Sequence, residues 1–493
     1  MRPAAWLVVA TAATAFAGAA LMDATAAAPS RTSAVKLSAS SNRGTPAQDL
    51  LARGKYLSDA ADCEDCHTAK GGAPFAGGLP LKTQFGTVLS ANITPDPTGI
   101  GGWTSQQFFH VLHDGVDDQG KHLYPAMPYN YYTQMSRADS DAIFAYLNSL
   151  RPVAHEINRN HLMFPMNIRG LMVFWNLLFL HQGEAAPVSG ASAQWSRGRY
   201  LVDALGHCGA CHTPMNLAGA PKRGRYLQGG VIENWLAPDL TPNPRTGLGG
   251  WSNADLTAFL KTGRNPRSNA TAQMGEVVNY STSRLSDSDL LAIAAYLQSV
   301  GPSKATPAKA PDRAVMRAGE AIFVDSCSAC HRMSGQGVPG MFPPLPGDAN
   351  LQQRDPTTTL RLILAGGQST PTAAARTPLS MPSYGWKLRN DQIAAVATYI
   401  RNSWGNAAPA VSTAQVSNLR RKLTFPPAPS DVLDPTRLNS HPGPMTLMPP
   451  GTDTRDNGTS RAGRGAPDPD AIAQPATQSS AGGSPAPATP GPG

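Results

Sequence analysis

Apolar side chains recur every three or four residues in three separate segments of the chain, which is the spacing of a one-sided helix. The segments cover residues 139–150, 287–300 and 390–404. Asp139, Asp287 and Asn390 suit the cap or the first turn of these helices. The pattern therefore predicts three units, each closed by an amphipathic helix.

A second helical pattern opens each unit and contains a glycine. The three segments are Arg53-Gly54-Lys55-Tyr56-Leu57, Arg197-Gly198-Arg199-Tyr200-Leu201 and Arg317-Ala318-Gly319-Glu320-Ala321-Ile322-Phe323. A glycine allows another backbone to approach closely, because it carries no side chain. We therefore expect another backbone or helix to lie against each of these glycines.

A block rich in proline, glycine and asparagine occurs in the first two units. Residues 92–103 and 239–251 share a Thr-Pro near their beginning and a Gly-Gly-Trp at their end. This composition predicts a structured loop rather than a helix. The third unit lacks the block and reads as a shorter version of the same domain.

These repeats divide the chain into three tandem domains of a mainly α fold. The domains span residues 46–155, 191–301 and 312–406, with linkers at 156–190 and 302–311 and a C-terminal extension at 407–493. After about residue 438 the extension holds few large apolar side chains. Such a segment cannot offset the entropy of ordering, so we expect it to be disordered.

The longer linker contains an apolar stretch at residues 171–180. Ten residues are too few to cross a bilayer, which takes about 20. Two interpretations stay open: a buried helix that packs two domains together, and an apolar face that docks on a membrane or a partner.

Composition and charge exclude several classes of protein. The chain is 41% hydrophobic, which is enough for several small cores, and its 47 glycines and 45 prolines among 493 residues exclude a coiled coil. The net charge of +8 is mild for a chain of this length. It suits anionic headgroups or an acidic partner surface better than nucleic acid, so we expect no nucleic-acid binding.

All six cysteines lie in three copies of one motif, Cys-x-x-Cys-His. The copies are Cys63-Glu64-Asp65-Cys66-His67, Cys208-Gly209-Ala210-Cys211-His212 and Cys327-Ser328-Ala329-Cys330-His331. This motif attaches c-type haem: the two thiols bond to the haem vinyl groups and the histidine ligates the iron. A redox-active cysteine pair, a zinc site and small-loop disulfides are the alternatives. Three copies that use every cysteine favour three covalently bound haems c.

Haem attachment of this kind requires export, and the N-terminus has the features of a signal peptide. Arg2 precedes an apolar run at residues 4–10, and small residues at 24–28 offer a cleavage site. An uncleaved anchor helix would need about 20 strongly apolar residues, whereas this run is mostly alanine and threonine. We therefore exclude residues 1–28 from the fold.

The second axial ligand of each iron decides the chemistry. A methionine raises the reduction potential and is typical of electron carriers, whereas an open position allows gas binding or peroxide chemistry. Met127, Met274 and Met381 follow the motif histidines by about 50 to 60 residues and precede the closing helices, so we predict them as ligands. A methionine can also be core filler. The competing methionines lie too close to a motif or to a closing helix: Met135, Met215, Met333 and Met341.

Each motif histidine also needs an acceptor for its second ring nitrogen, which fixes the orientation of the ring. The segment Pro343-Pro344-Leu345 offers such a carbonyl to His331. No comparable acceptor is evident in the sequence for His67 or His212.

In combination, these motifs resemble the tri-haem cytochrome c subunits of membrane-bound bacterial alcohol, gluconate, sorbitol and fructose dehydrogenases. The resemblance covers roughly residues 46–420 and rests on the segments Asn92-Ile93-Thr94-Pro95-Asp96, Tyr124-Pro125-Ala126-Met127-Pro128-Tyr129, Met274-Gly275-Glu276-Val277-Val278 and Ser403-Trp404-Gly405-Asn406. The long polar C-terminal tail departs from the pattern.

The resemblance implies a non-catalytic electron-transfer subunit on the periplasmic side of the inner membrane, at the membrane surface. Such a subunit takes electrons from a flavin- or PQQ-dependent dehydrogenase subunit and passes them to ubiquinone or a downstream cytochrome. The competing hypothesis is a multihaem enzyme with an exchangeable iron ligand, such as a peroxidase. The three late methionines favour the electron carrier.

Overall fold

The computed structural model describes residues 45–157, 160–304 and 308–423. The predicted signal peptide (1–28) and the tail expected to be disordered after about residue 438 lie outside the described residues, as does part of the 302–311 linker. Within the described ranges, no helix combines the length and the apolar character that crossing a membrane requires.

Helices dominate the fold. The α-helices are Pro46–Ala60, Cys63–Cys66, Ser105–His113, Tyr129–Tyr132, Arg137–Asn148, Met172–Phe179, Ala193–Tyr200, Gly209–His212, Asn253–Thr262, Ala272–Tyr280, Asp287–Ser299, Arg313–Ser326, Ser328–His331, Ala349–Gln352, Thr357–Ala365, Asn390–Ile400 and Thr413–Arg420. Short 3-10 turns lie at Arg169–Leu171, Arg223–Arg225 and Thr282–Arg284, and a π-helical turn lies at Leu201–Leu205.

Three small antiparallel sheets complete the described part of the chain. Their strands are Pro80–Thr83, Gly86–Leu89 and His161–Leu162; Gln228–Ile232 and Trp235–Asp239; and Gly367–Gln368 and Ser380–Met381. In the second sheet Glu233 and Asn234 form a two-residue turn with φ of 48° and 61°. Positive φ at both turn residues matches the twist of a tight hairpin. The sequence pattern did not indicate these short strands.

Each unit is built on two crossed helices, which we call its leading and closing helices. The leading helices are Pro46–Ala60, Ala193–Tyr200 and Arg313–Ser326, and the closing helices are Arg137–Asn148, Asp287–Ser299 and Asn390–Ile400. Ser136 and Ser286 cap the first two closing helices, so Asp139 and Asp287 lie in the first turn.

The expected close approach occurs at the glycine of each repeat. A Cβ at Gly54, Gly198 or Gly319 would collide with a carbonyl oxygen of the closing helix of the same unit. Only glycine permits the two helix backbones to lie this close together.

Units one and two share one hydrophobic core, whereas unit three has its own. Leu57 and Leu147 of unit one are buried with Leu205 and Leu290 of unit two in a single cluster. The core of unit three includes Val416 and Leu419 from the helix Thr413–Arg420, so ordered structure of this unit continues beyond the predicted boundary at residue 406. Because those two side chains lie three residues apart, they occupy one face of that helix.

Candidate functional site

Each Cys-x-x-Cys-His motif contains one helical turn that follows the leading helix of its unit; in unit two the π-helical turn Leu201–Leu205 lies between them. These turns are Cys63–Cys66, Gly209–His212 and Ser328–His331. In the first motif both cysteines lie within the turn and on one side of it, because residues three apart share a helix face, whereas Cys208 and Cys327 are the cap residues that begin the other two turns. All six thiols are free and partly buried.

The motif histidines are held by backbone carbonyls. The Nδ1 atom of His67 lies 2.7 Å from the oxygen of Ala91, and that of His212 lies 2.7 Å from the oxygen of Pro238. In unit three, Nδ1 of His331 lies 3.2 Å from the oxygen of Pro343, which confirms the acceptor predicted from the sequence. With Nδ1–H donating to a carbonyl, Nε2 is left free as the ligating atom.

The acceptors in units one and two stand immediately before the repeated loop block. Ala91 precedes Asn92, whose side chain accepts from the backbone N–H of Thr94 at 2.9 Å and donates to the oxygen of Val153 at 2.8 Å. Pro238 precedes Asp239 in the same register. The loop block therefore fixes the carbonyl that orients the histidine, and its repetition in register was the signal that could have located both acceptors.

Burial sets the protonation state of the thiols. Desolvation raises the pKa of Cys63 and Cys208 to about 12, and that of Cys211 and Cys327 to about 11. These thiols are protonated at neutral pH, whereas the attacking cysteine of a redox pair has a lowered pKa. This environment argues against a thioredoxin-like pair.

Burial also lowers the pKa of His67, His212 and His331, although the carbonyl bond opposes that shift. The imidazoles are therefore neutral, which is the form that ligates a metal. Among residues 45–157, 160–304 and 308–423, no group of three or more His, Cys, Asp and Glu side chains could hold a metal ion without a prosthetic group. Paired neutral thiols beside an oriented imidazole fit a c-type haem, and the part of the chain that the structure describes forms no protein-only zinc site.

The three candidate methionine ligands are all partly buried, but their local structures differ. Met127 lies in a turn and packs against the shared core, and Met381 lies on a short strand against the core of unit three. Met274 instead lies in the helix Ala272–Tyr280, so the expectation of three matching positions holds for sequence spacing but not for secondary structure. Gly275 of that helix packs against Thr370 of unit three, so the helix lies at the junction of units two and three.

The competing methionines occupy other environments. Met135 is 1% exposed within the shared core, which is the setting of a filler side chain. Met215, Met333 and Met341 are exposed at the surface.

The first two motifs lie close together across the junction of units one and two. Arg284 of unit two donates to Asp59 at 2.9 Å and to Glu64, inside the first motif, at 2.7 Å. The Tyr132 hydroxyl of unit one donates to the Ala61 oxygen at 2.6 Å, and its ring meets that of His207, the residue before the second motif, edge-on at 5.3 Å. The junction therefore fixes the backbone around both motifs.

Unit three attaches to the hairpin of unit two. The Thr358 hydroxyl accepts from the N–H of Leu236 at 2.8 Å and donates to its oxygen at 3.0 Å. Arg361 donates to the Glu233 oxygen at 2.9 Å, and its guanidinium lies 4.4 Å from the ring centre of Trp235. These contacts differ from those that join units one and two.

Comparison with known proteins agrees with this arrangement. The family model described as cytochrome c matches the chain in three regions, residues 51–151, 196–301 and 316–404. The chain is 40% identical to the gluconate 2-dehydrogenase cytochrome c subunit of Pantoea cypripedii over 400 residues, which are 76% of this chain and 90% of that protein.

Two further relatives have comparable coverage. The cytochrome c subunit of alcohol dehydrogenase (quinone) from Komagataeibacter europaeus is 40% identical over 76% of this chain and 86% of its own length. The fructose dehydrogenase cytochrome subunit of Gluconobacter japonicus is 35% identical over 75% and 82%. The chain belongs to the cytochrome c family and, within it, to the group of cytochrome subunits of gluconate, alcohol and fructose dehydrogenases, which implies electron transfer.

Proposed function

We propose that this chain is a periplasmic electron-transfer subunit with three covalently bound haems c, held at the surface of the inner membrane. It takes electrons from a flavin- or PQQ-dependent dehydrogenase subunit and passes them to ubiquinone or a downstream cytochrome. It does not itself oxidise a sugar or an alcohol.

The main support for this proposal is that the same arrangement of thiols and histidine occurs three times in the chain. Two free thiols and a histidine follow the leading helix, and the Nδ1 atom of that histidine is bonded to a carbonyl in every unit. A redox-active cysteine pair would need an exposed thiol with a low pKa, and a zinc site would need a cluster of protein ligands.

Each residue type has one role in the proposed sites. The thiols of Cys63, Cys66, Cys208, Cys211, Cys327 and Cys330 form the covalent attachments. His67, His212 and His331 would hold the iron through Nε2, and Met127, Met274 and Met381 would hold it through their sulfur atoms. When bound, the haem supplies reversible one-electron chemistry, and a methionine ligand favours its reduced state.

The haem count tests the proposal directly. Pyridine haemochrome analysis of the mature protein should give three haems per chain. A variant with Cys327→Ala and Cys330→Ala should give two, because only the third attachment site is removed. A count of two in the unaltered chain would contradict the proposal.

A ligand-exchange measurement separates the electron carrier from the multihaem enzyme. If every iron holds a methionine, carbon monoxide and cyanide should leave the reduced and oxidised spectra largely unchanged. Rapid and stoichiometric binding of either ligand to the native chain would favour the peroxidase-like alternative.

An exposed apolar patch in the 156–190 linker supports the membrane-surface part of the proposal. Met172 and Trp175 of the helix Met172–Phe179 are buried, and the Trp175 indole donates to the Ala218 oxygen at 3.0 Å. The opposite side of the helix is exposed to solvent. One face therefore packs inside the protein, as a buried helix would, and the other is available to a membrane or a partner. The exposed apolar side chains, 56% to 95% accessible, are Met163, Phe164, Phe174, Leu177, Leu178 and Leu217.

Hydrogen bonds to the backbone hold the segments that carry these side chains next to one another. The N–H of Met163 donates to the Phe85 oxygen at 2.9 Å, and the neighbouring Gln84 donates to the Leu217 oxygen at 3.3 Å. Exposed Lys222, Arg223 and Arg225 follow closely in the chain, and the net charge is +8. Apolar area beside basic side chains is the composition that binds an anionic bilayer surface.

Vesicle sedimentation tests the patch. The chain should bind vesicles that contain phosphatidylglycerol more strongly than pure phosphatidylcholine vesicles, and the double substitution Leu177→Asp with Leu178→Asp should abolish most of that binding. Val324→Asp, at an exposed apolar position on unit three, is the matched control and should bind normally. Equal binding by all three proteins would contradict the assignment.

A further inference from the structure

Two tyrosines of the repeated Arg-Gly-x-Tyr-Leu segments cross the junction between units one and two. The Tyr56 hydroxyl of unit one donates to Asp289 Oδ2 of unit two at 2.7 Å, and it accepts from the backbone N–H of Ser286 at 3.1 Å. Asp289 is also paired with Arg197 of its own unit at 2.7 Å. The Asp289 carboxylate therefore binds an arginine from the leading helix of unit two and a tyrosine from the leading helix of unit one.

The reciprocal contact has the same geometry. The Tyr200 hydroxyl of unit two donates to Asp139 Oδ2 of unit one at 2.7 Å, and it accepts from the backbone N–H of Ser136 at 3.1 Å. Asp139 is paired with Arg53 of its own unit at 2.5 Å. The two contacts are equivalent, as an approximate two-fold relation between the units requires, and both aspartates are buried.

Unit three lacks both members of this pair. Counting from the leading-helix glycine, the position of Tyr56 and Tyr200 is occupied by Ala321. In the closing helices of units one and two, the aspartate lies three residues before the alanine whose carbonyl meets this glycine. The same position in unit three is Gln392. The crossed contact is therefore specific to units one and two and is not a general requirement of the helix pair.

We propose that Tyr56 and Tyr200 are positioning residues that fix units one and two in a single relative arrangement, and thereby fix the spacing and orientation of their two haems. This inference rests on the proposed three-haem function. Each tyrosine binds the cap and the first turn of the other unit's closing helix, and each leading helix runs into its own haem motif. A displacement of either closing helix therefore moves one attachment site relative to the other.

The reciprocal design also predicts cooperation between the two contacts. Because both hydroxyls join the same two bodies, release of one should loosen the other even though they share no hydrogen-bonding partner. A purely local structural role would leave the far contact unaffected.

Residue-resolved hydrogen–deuterium exchange on the full-length holoprotein tests this cooperation. Tyr200→Phe removes only an oxygen, and it should raise the exchange rate of the Ser286 N–H, which Tyr200 does not touch. We expect roughly a tenfold increase, the ordinary consequence of losing one hydrogen bond to a charged group. Tyr56→Phe should raise exchange at Ser136 in the same way.

Tyr296→Phe is the matched control, because the Tyr296 hydroxyl donates to Asp203 at 2.8 Å within unit two. It should leave exchange at Ser136 unchanged. Unchanged exchange at the far serine in both Tyr56→Phe and Tyr200→Phe would overturn the inference.

A spectroscopic measurement addresses the haems themselves. Exciton splitting of the Soret circular dichroism depends on the relative orientation of neighbouring haems, and it should weaken in the double variant Tyr56→Phe with Tyr200→Phe but not in Tyr296→Phe. An unaltered splitting would also overturn the inference. A haem count below three in the unaltered chain would instead contradict the proposed function, while the exchange measurement would still report on the junction.

Discussion

Replacing Gly198 by alanine should destabilise units one and two, although alanine is the better helix former. In an exposed helix this substitution stabilises a protein by up to about 1 kcal/mol. At Gly198 the added Cβ would collide with the Ala292 carbonyl and lie 2.9 Å from the Cβ of Tyr296. The obstacle is the backbone of the closing helix, which no side-chain rotation can relieve.

The expected magnitude follows from these two opposing effects. Overpacking of a well-packed contact costs about 1–3 kcal/mol. Because the obstacle is backbone, the upper part of this range, about 2–3 kcal/mol, applies; after the gain of up to about 1 kcal/mol in helix propensity, a net loss of about 1–2 kcal/mol in the free energy of unfolding remains. Since 1 kcal/mol shifts the melting temperature of 150–250 residues by about 2–4 °C, the shared transition of units one and two should fall by roughly 5 °C.

Scanning calorimetry of the holoprotein measures the effect. Gly170→Ala is the control, because a Cβ there meets nothing within 4 Å, and it should be neutral or stabilising. Gly319→Ala should lower the transition of unit three only, since that unit has a separate core. A Gly198→Ala protein as stable as the unaltered chain would refute the close-contact argument.

Five further substitutions test the ligands and the third unit. Met127→Leu, Met274→Leu and Met381→Leu should each remove the methionine-dependent absorption of one ferric haem. Haemochrome analysis should still count three haems in each variant. An unchanged spectrum in Met274→Leu would show that Met274 is not a ligand. Arg401→Met should lower the free energy of unfolding of unit three by about 3 kcal/mol in calorimetry. The reason is that the buried guanidinium donates to the backbone oxygens of Leu351, Gln353 and Pro409. A decrease below about 1 kcal/mol would contradict this role. Burial raises the pKa of Asp348 to about 6, so between about pH 4 and 6 the folded unit binds a proton that the unfolded chain has released. The stability of unit three should therefore fall as the pH rises through this range. Asp348→Asn should flatten the dependence of stability on pH, and an unaltered pH profile would contradict this role for Asp348.

The sequence was sufficient for features that depend on residue type and spacing. The closing helices follow from periodic apolar positions such as Ile143 and Leu147, which are both buried. The attachment motifs follow from the cysteines themselves, and the acceptor at Pro343 follows from its place after the third motif.

Other features depend on backbone geometry and were not predictable in this way. Any residue supplies a carbonyl, so nothing in the identity of Ala91 or Pro238 marks it as the acceptor for a histidine. Gly275, beside Met274, packs against Thr370 of another unit, a contact that local propensity does not encode. The crossed Tyr56–Asp289 pair joins residues more than two hundred positions apart.

The π-helical turn Leu201–Leu205 shows how the repeat preserves the crossed contacts despite a difference in length. Tyr56 lies seven residues before Cys63, whereas Tyr200 lies eight residues before Cys208. A π turn is the usual way in which a helix absorbs one extra residue, and this one lies between Tyr200 and the second motif. The leading helix of unit two can therefore keep both Gly198 against its closing helix and Tyr200 on Asp139. The two tyrosine contacts accordingly have the same length of 2.7 Å, although the spacing from tyrosine to motif differs by one residue.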